Sequence, residues 1–126
     1  MSGGQGTRLG FDKPKGMFNI KLQSNYTLFQ YFARRLLRLN ELVKELYPNS
    51  KFGVNNMIKW YMLTSDLNNE EIKSYFKAND YFGYDPDSVV FFPQGGFPAL
   101  DYDGKIIIED EGLLSFAPVG NGALYG

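Results

Sequence analysis

Two bulky apolar runs, IKWYMLTS at 58–65 and SVVFFPQ at 88–94, bracket a single amphipathic helical pattern, and this arrangement constrains the fold most. Both runs are short and rich in aromatic and aliphatic residues, which suits buried strands. Asp66 to Asn69 breaks the first run, and Pro93 with Gly95 and Gly96 stops the second. Between them Asn68 and Glu71 make a capping pair. Ile72, Tyr75 and Phe76 then supply one helical face that ends near Asn79. Strands alternating with helices argue for an open α/β sheet that receives ligands at its strand ends.

A second helix is predicted upstream. Thr27 and Gln30 form a T-x-x-Q capping box, and Pro48 with Asn49 and Ser50 stops the pattern. Phe29, Phe32, Leu36, Leu39, Val43 and Leu46 recur at spacings of three and four and read as its core face. Arg34, Arg35 and Arg38 fall on the other faces, as a phosphate patch or, more simply, as a solvated surface. Met17 to Leu22 alternates apolar and polar residues, as a short strand or an extended connector would. Downstream, Asp103-Gly104 sits between two apolar alternations and predicts a hairpin.

Composition removes several chemistries. The 126 residues contain no histidine and no cysteine, which excludes Ser-His-Asp and Cys-His catalysis, thiolate metal sites and disulfides within this chain. A chain without cysteine fits a reducing compartment such as the cytoplasm. Net charge is −1, so no overall field recruits nucleic acid or a membrane surface. The abundant aromatics, 11 Phe and 9 Tyr, are explained by a packed core with tyrosine rims. The chemistry left is that of lysine, arginine, carboxylates and backbone amides.

Those groups concentrate in GGQGTRLGFDKPKGM, residues 3–17. Neither common phosphate motif fits it. The tripeptide Gly-Lys-Ser/Thr is absent, and after Gly4 and Gly6 the third glycine of G-x-G-x-x-G is replaced by Leu9, with Gly10 one residue late. The physics still suits a triphosphate. Gly3, Gly4 and Gly6 let backbone amides approach an anion, Arg8 offers a planar fork, and Lys13 and Lys15 flank a stiffening Pro14. The plain alternative is a basic tail without a ligand.

The pattern G-G-x-G-T-R-L-G-x-x-x-P-K-G resembles the signature of the UDP-sugar pyrophosphorylases. Within that family it looks most like the eukaryotic type of UDP-N-acetylglucosamine pyrophosphorylase. TLFQ, WYMLTS, YFGYDPDSVVFFPQG, DGKII and APVGNGALY are similar to family segments in the family's order, so the resemblance spans nearly the whole chain. It implies a Rossmann-like, GT-A-type nucleotidyltransferase core, a three-layer α/β/α mixed sheet, present here as one partial domain over 1–126. The partial domain is expected because only Met1 and Ser2 precede a glycine loop that should follow a buried strand. The sugar-binding half is expected downstream.

The resemblance also implies a reaction and its sites. UTP and N-acetylglucosamine 1-phosphate would give UDP-N-acetylglucosamine and pyrophosphate, with Mg2+ required and its ligand expected outside this chain. Gly3 and Gly4 match backbone that holds the nucleotide, although Met1 and Ser2 depart from the family's Leu-Ala. Arg8 and Lys15 match residues that meet the triphosphate. Gln94 matches the glutamine that reads the uracil edge, Gly120 a uridine-contacting glycine, and Asn121 a sugar-contacting asparagine. Ala123 stands where the family usually has glycine, which either crowds the sugar pocket or does little. No residue of this chain is assigned as a metal ligand. Three other readings remain open at this point: a UDP-glucose or broad UDP-sugar pyrophosphorylase, a non-catalytic nucleotide-binding module, and a purely structural βα domain with a solvated basic tail. For Gln94 itself the plain alternative is a loop-capping glutamine.

Overall fold

The computed structural model describes residues 10–49, 57–110 and 112–118. A 3-10 turn at Lys15–Met17 leads to α1 (Leu28–Leu46), β1 (Trp60–Ser65) and α2 (Asn69–Ala78). Two further 3-10 turns, Asp80–Gly83 and Pro86–Ser88, deliver the chain to β2 (Val89–Gln94). Four short strands follow: β3 (Gly96–Pro98), β4 (Ile108–Asp110), β5 (Leu113–Leu114) and β6 (Phe116–Pro118).

The strand–helix–strand pattern folds as read. β1 and β2 pair in parallel, with Trp60 opposite Val89 and Ser65 opposite Gln94. α2 supplies the crossover that parallel neighbours require. The later strands pair antiparallel, β3 with β6 and β4 with β5. The Asp103-Gly104 signal also holds, with a loop one residue wider than two. Asp101 and Lys105 close it through Asp101 N–H to Lys105 C=O at 2.8 Å, and Gly104 takes φ +79. Asp101 Oδ1 accepts from the amides of Asp103 and Lys105, both at 2.9 Å, which holds the turn.

The core centres on Phe76, the last apolar residue of the α2 face. Its ring meets those of Phe29, Trp60, Phe82 and Phe91 at centroid distances of 5.0–5.3 Å, all steeply tilted. Edge-on packing of this kind sets positive ring edges against negative faces. Phe82 and Tyr81 reach Phe76 from an unusual backbone. Asp80, Tyr81 and Phe82 have φ of +48, +49 and +57, followed by Gly83 at +78. A non-glycine residue there costs on the order of 1–3 kcal/mol. Burying the two rings against Phe76 offsets that cost.

A second anchor is polar. Asn40 of α1 donates to Leu36 C=O at 2.7 Å and to the Tyr84 hydroxyl at 3.0 Å, and accepts from Ile58 N–H at 2.9 Å. Tyr84 in turn donates to Ile58 C=O at 2.5 Å. The cluster ties α1 to the approach of β1 and meets the rule that buried polar groups find partners. Burial pushes the Tyr84 phenol up from its ordinary value, against the opposing bond from Asn40.

Two sequence readings need correction. α1 begins at its capping box, with Gln30 N–H to Thr27 Oγ1 and Thr27 N–H to Gln30 Oε1 both present. Yet its buried residues are Phe29, Ala33 and Asn40, while Phe32, Leu39 and Leu46 stay exposed, Leu46 by 69%. Among the described residues α1 packs mainly on the 3-10 turns at Lys15–Met17 and Asp80–Gly83, which cover only one side of the apolar stripe. The Asn68–Glu71 capping pair does not form. Asn68 precedes α2, but its Oδ1 turns back to accept from Ser65 N–H at 2.9 Å.

Candidate nucleotide site

An open α/β sheet binds ligands beyond the carboxyl ends of its strands. Here that edge is the paired Ser65 and Gln94. The polar residues Thr64, Ser65, Asn68 and Gln94 are all buried there, against an otherwise apolar core. Most of this polarity is satisfied locally: Thr64 Oγ1 donates to Asn69 Oδ1 at 2.7 Å, and Asn68 Oδ1 holds the Ser65 amide. Gln94 differs. It is 8% exposed, and its Oε1 has no hydrogen-bond partner among the described residues. A buried acceptor left unmade costs about 1–3 kcal/mol, so Gln94 Oε1 is open to an N–H from beyond the described residues.

The sequence-predicted cation Lys15 sits on a 3-10 turn. Met17 N–H bonds Pro14 C=O at 2.9 Å and Phe18 N–H bonds Lys15 C=O at 3.1 Å, which closes the turn. Pro14, Gly16 and Met17 are buried, while Lys15 is exposed between them and forms no ion pair among the described residues. Met17 belongs to the same core cluster as Met62 of β1 and Phe76 of α2. Lys15 and Gln94 are therefore carried by one packed unit. Of Met17 to Leu22, Met17 ends the 3-10 turn, Asn19 makes one antiparallel bridge to Thr27 and Lys21 takes φ +57, so the alternation forms neither a strand nor an evenly extended connector.

The arginines of α1 belong to its surface. Arg38 pairs with Glu41 at 2.9 Å and Glu45 at 3.5 Å, and these carboxylates hold it above its ordinary value. Arg34 donates to the Tyr26 hydroxyl at 2.6 Å and lies 4.9 Å over that ring. Gly3, Gly4, Gly6, Arg8, Gly120 and Asn121 lie outside the described residues. Sequence reasoning missed Ser65 and Asn68, although the polar T-S-x-x-N ending of an apolar strand was the available signal. It also missed the packing of Gly16 on Phe29, for which no local signal exists.

A parallel strand pair with buried polar side chains at its carboxyl edge, carried on one core with the Lys15 turn, defines an α/β protein of the open-sheet kind. The chain belongs to the UTP--glucose-1-phosphate uridylyltransferase family, whose model matches residues 1–126. It is 44% identical over 125 residues to UDP-N-acetylglucosamine diphosphorylase 2 of Arabidopsis thaliana, covering 99% of this chain and 25% of that one. It is 41% identical over 126 residues to the UDP-N-acetylglucosamine pyrophosphorylase of Saccharomyces cerevisiae, with coverages of 99% and 25%. Among solved structures, the Trypanosoma brucei uridine diphosphate N-acetylglucosamine pyrophosphorylase in complex with inhibitor superposes with a TM-score of 0.85 at 37% identity, over 98% of this chain and 24% of that one. The chain thus spans about a quarter of the length of these relatives. The expected nucleotidyltransferase-type α/β fold is confirmed by the superposition.

Proposed function

We propose that this chain is the nucleotide-binding part of a uridylyltransferase that converts UTP and N-acetylglucosamine 1-phosphate into UDP-N-acetylglucosamine and pyrophosphate. The buried, unpartnered Gln94 Oε1 at a strand end carries the reading. Uracil presents an N3–H donor and carbonyl acceptors along one edge, and a primary amide matches both. Cytosine presents a lone pair where uracil has N3–H, and that lone pair would face Oε1. Relatives named for UDP-N-acetylglucosamine favour N-acetylglucosamine 1-phosphate over glucose 1-phosphate.

The chemistry asks little beyond charge and position. The nucleophile is a phosphate monoester oxygen, largely anionic at neutral pH because its second pKa lies near ~6. It attacks the UTP α-phosphate in line and the bond to pyrophosphate breaks, so no general base is required. This accommodates a chain without histidine. Lys15, with Arg8 and the amides of Gly3, Gly4 and Gly6, offsets charge growing on the leaving pyrophosphate. Gly120 and Asn121 are assigned to uridine and sugar. Mg2+, which the family resemblance calls for, finds no set of three converging carboxylates among the described residues. By that resemblance its ligands are assigned outside this chain.

No helix among the described residues is long and apolar enough to cross a membrane. We place the activity in the cytoplasm, with no nucleic-acid or membrane partner. In the full-length protein, pyrophosphate release from UTP should require N-acetylglucosamine 1-phosphate as acceptor. Lys15→Ala and Arg8→Ala should each lower kcat on the order of a hundredfold with a much smaller change in KM for UTP. Near-normal turnover in both variants would overturn the roles assigned. UTP-induced thermal stabilisation without pyrophosphate release would leave a binding module instead.

A further inference from the structure

Gly16 poses a question that its backbone does not answer. Its φ is not positive, unlike those of Gly10, Gly83, Gly104 and Gly112, so it is not a glycine for reasons of conformation. The reason is space. A methyl group on Gly16 would overlap the outer edge of the Phe29 ring, at Cζ, Cε1 and Cε2. Phe29 is itself immobilised. It lies in the first turn of α1, inside the Thr27–Gln30 capping box, and packs 5.0 Å from Phe76 and 6.3 Å from Tyr75. Phe18 C=O accepts from Leu28 N–H at 3.1 Å, which fixes the approach of the turn to the helix.

We propose that the seating of the Phe29 ring on Gly16 is a positioning device that sets the height and direction of Lys15 over the phosphates. Lys15 has a long stem with many rotamers, so the protein can aim it only by fixing its backbone. Pro14, Gly16 and Met17 are the buried residues around it, and at Gly16 the contact is so close that a single added carbon would overlap the Phe29 ring. The ring and the glycine act as plug and socket. A filled socket pushes the turn away from α1, and a smaller plug lets it sink or rock. Either change moves the ammonium without removing it. Misplacing a charge-stabilising group by about 1 Å can cost on the order of a hundredfold in rate. This inference rests on the reading of Lys15 as a triphosphate contact.

The test uses the full-length enzyme with UTP and N-acetylglucosamine 1-phosphate. Gly16→Ala and Phe29→Leu should each lower kcat, the first about tenfold or more, with KM for UTP within about threefold. In the double variant Gly16→Ala/Phe29→Leu the new methyl occupies the space the ring gives up, and kcat should recover to within a few-fold of the parent. In a Lys15→Ala background, Gly16→Ala should cost almost nothing further, because the group it aims is gone. Circular dichroism and thermal melts restrict the comparison to folded protein. If Gly16→Ala does not fold, the double variant and Phe29→Leu, each with and without Lys15→Ala, carry the same comparison. Losses that multiply with Lys15→Ala, or a double variant no better than the worse single one, would overturn the proposal while leaving Lys15 in its role. A fully active Lys15→Ala enzyme would instead overturn the assignment of Lys15.

Discussion

The parallel pair and the two antiparallel pairs that follow it are built differently. β1, β2, α2 and the start of α1 converge on Phe76, and nearly every side chain between them is covered. β3–β6 and β4–β5 share no such centre. Phe97 is 65% exposed, Phe116 55% and Leu113 69%, although all three are large and apolar. Regular backbone pairing alone therefore does not make a core. The first region buries its rings because a helix crosses the strands. The second has strands with nothing laid over them among the described residues. The candidate site residues that can be placed, Lys15 and Gln94, both hang on the first region, where geometry is held by packing.

The contrast can be broken most easily at its centre. Phe76→Ala should destabilise the chain by about 3–5 kcal/mol, measured by urea unfolding, because it empties the place where five rings meet. A loss below about 1 kcal/mol would mean the cluster is not the core. Next in size is Tyr84→Phe, which strands the Asn40 donor and the Ile58 carbonyl and should cost about 1–3 kcal/mol. It has a pH signature as well. Because the folded phenol is pushed up, Tyr84 contributes stability that is complete below its unfolded value near ~10 and lost as pH rises from there through the folded value. The gap between parent and Tyr84→Phe should therefore narrow as the solution becomes strongly alkaline. A constant gap would sink that account.

The next change runs the opposite way. Gln94→Met removes a buried acceptor without a partner and keeps the volume, so stability should rise by about 1 kcal/mol while preference for UTP over CTP falls roughly tenfold or more. Stability lost together with unchanged nucleotide preference would make Gln94 a structural residue. The smallest effect is expected at Phe116→Ser. It should shift the stability of the 126-residue chain by less than about 0.5 kcal/mol, since more than half of that side chain is already in water. A cost above 2 kcal/mol would show that the antiparallel pairs have a core of their own.

What the sequence made legible follows from the range of the interactions involved. The start of α1, the two central strands and the hairpin at Asp103-Gly104 are written in neighbours one to four residues apart. Helix caps, strand runs and turn residues act over that distance. Which side of α1 is covered is a long-range matter, so periodicity alone placed Phe32, Leu39 and Leu46 in a core they do not enter. Asn68 sits where a cap should be, but the edge of β1 competes for its side chain and wins. The left-handed run at Asp80–Gly83 carries only one glycine, and nothing local predicts it, because it is maintained by rings closing on Phe76. Gln94 was legible as a base reader only through family resemblance. Its burial and its unmet acceptor required the fold.

The register of β1 against β2 has a consequence for how base preference can change over time. Side chains alternate between the faces of a strand, so a slip of one position along the Trp60–Val89 ladder would turn Gln94 to the opposite side. On the proposed reading of Gln94, the choice of pyrimidine would then be lost with no alteration to the glutamine itself. If Gln94 reads the base as proposed, substitutions at the buried Val89 or Met62 that disturb this register are routes by which a lineage could drift in what it accepts, and searches for altered substrate range should include those positions.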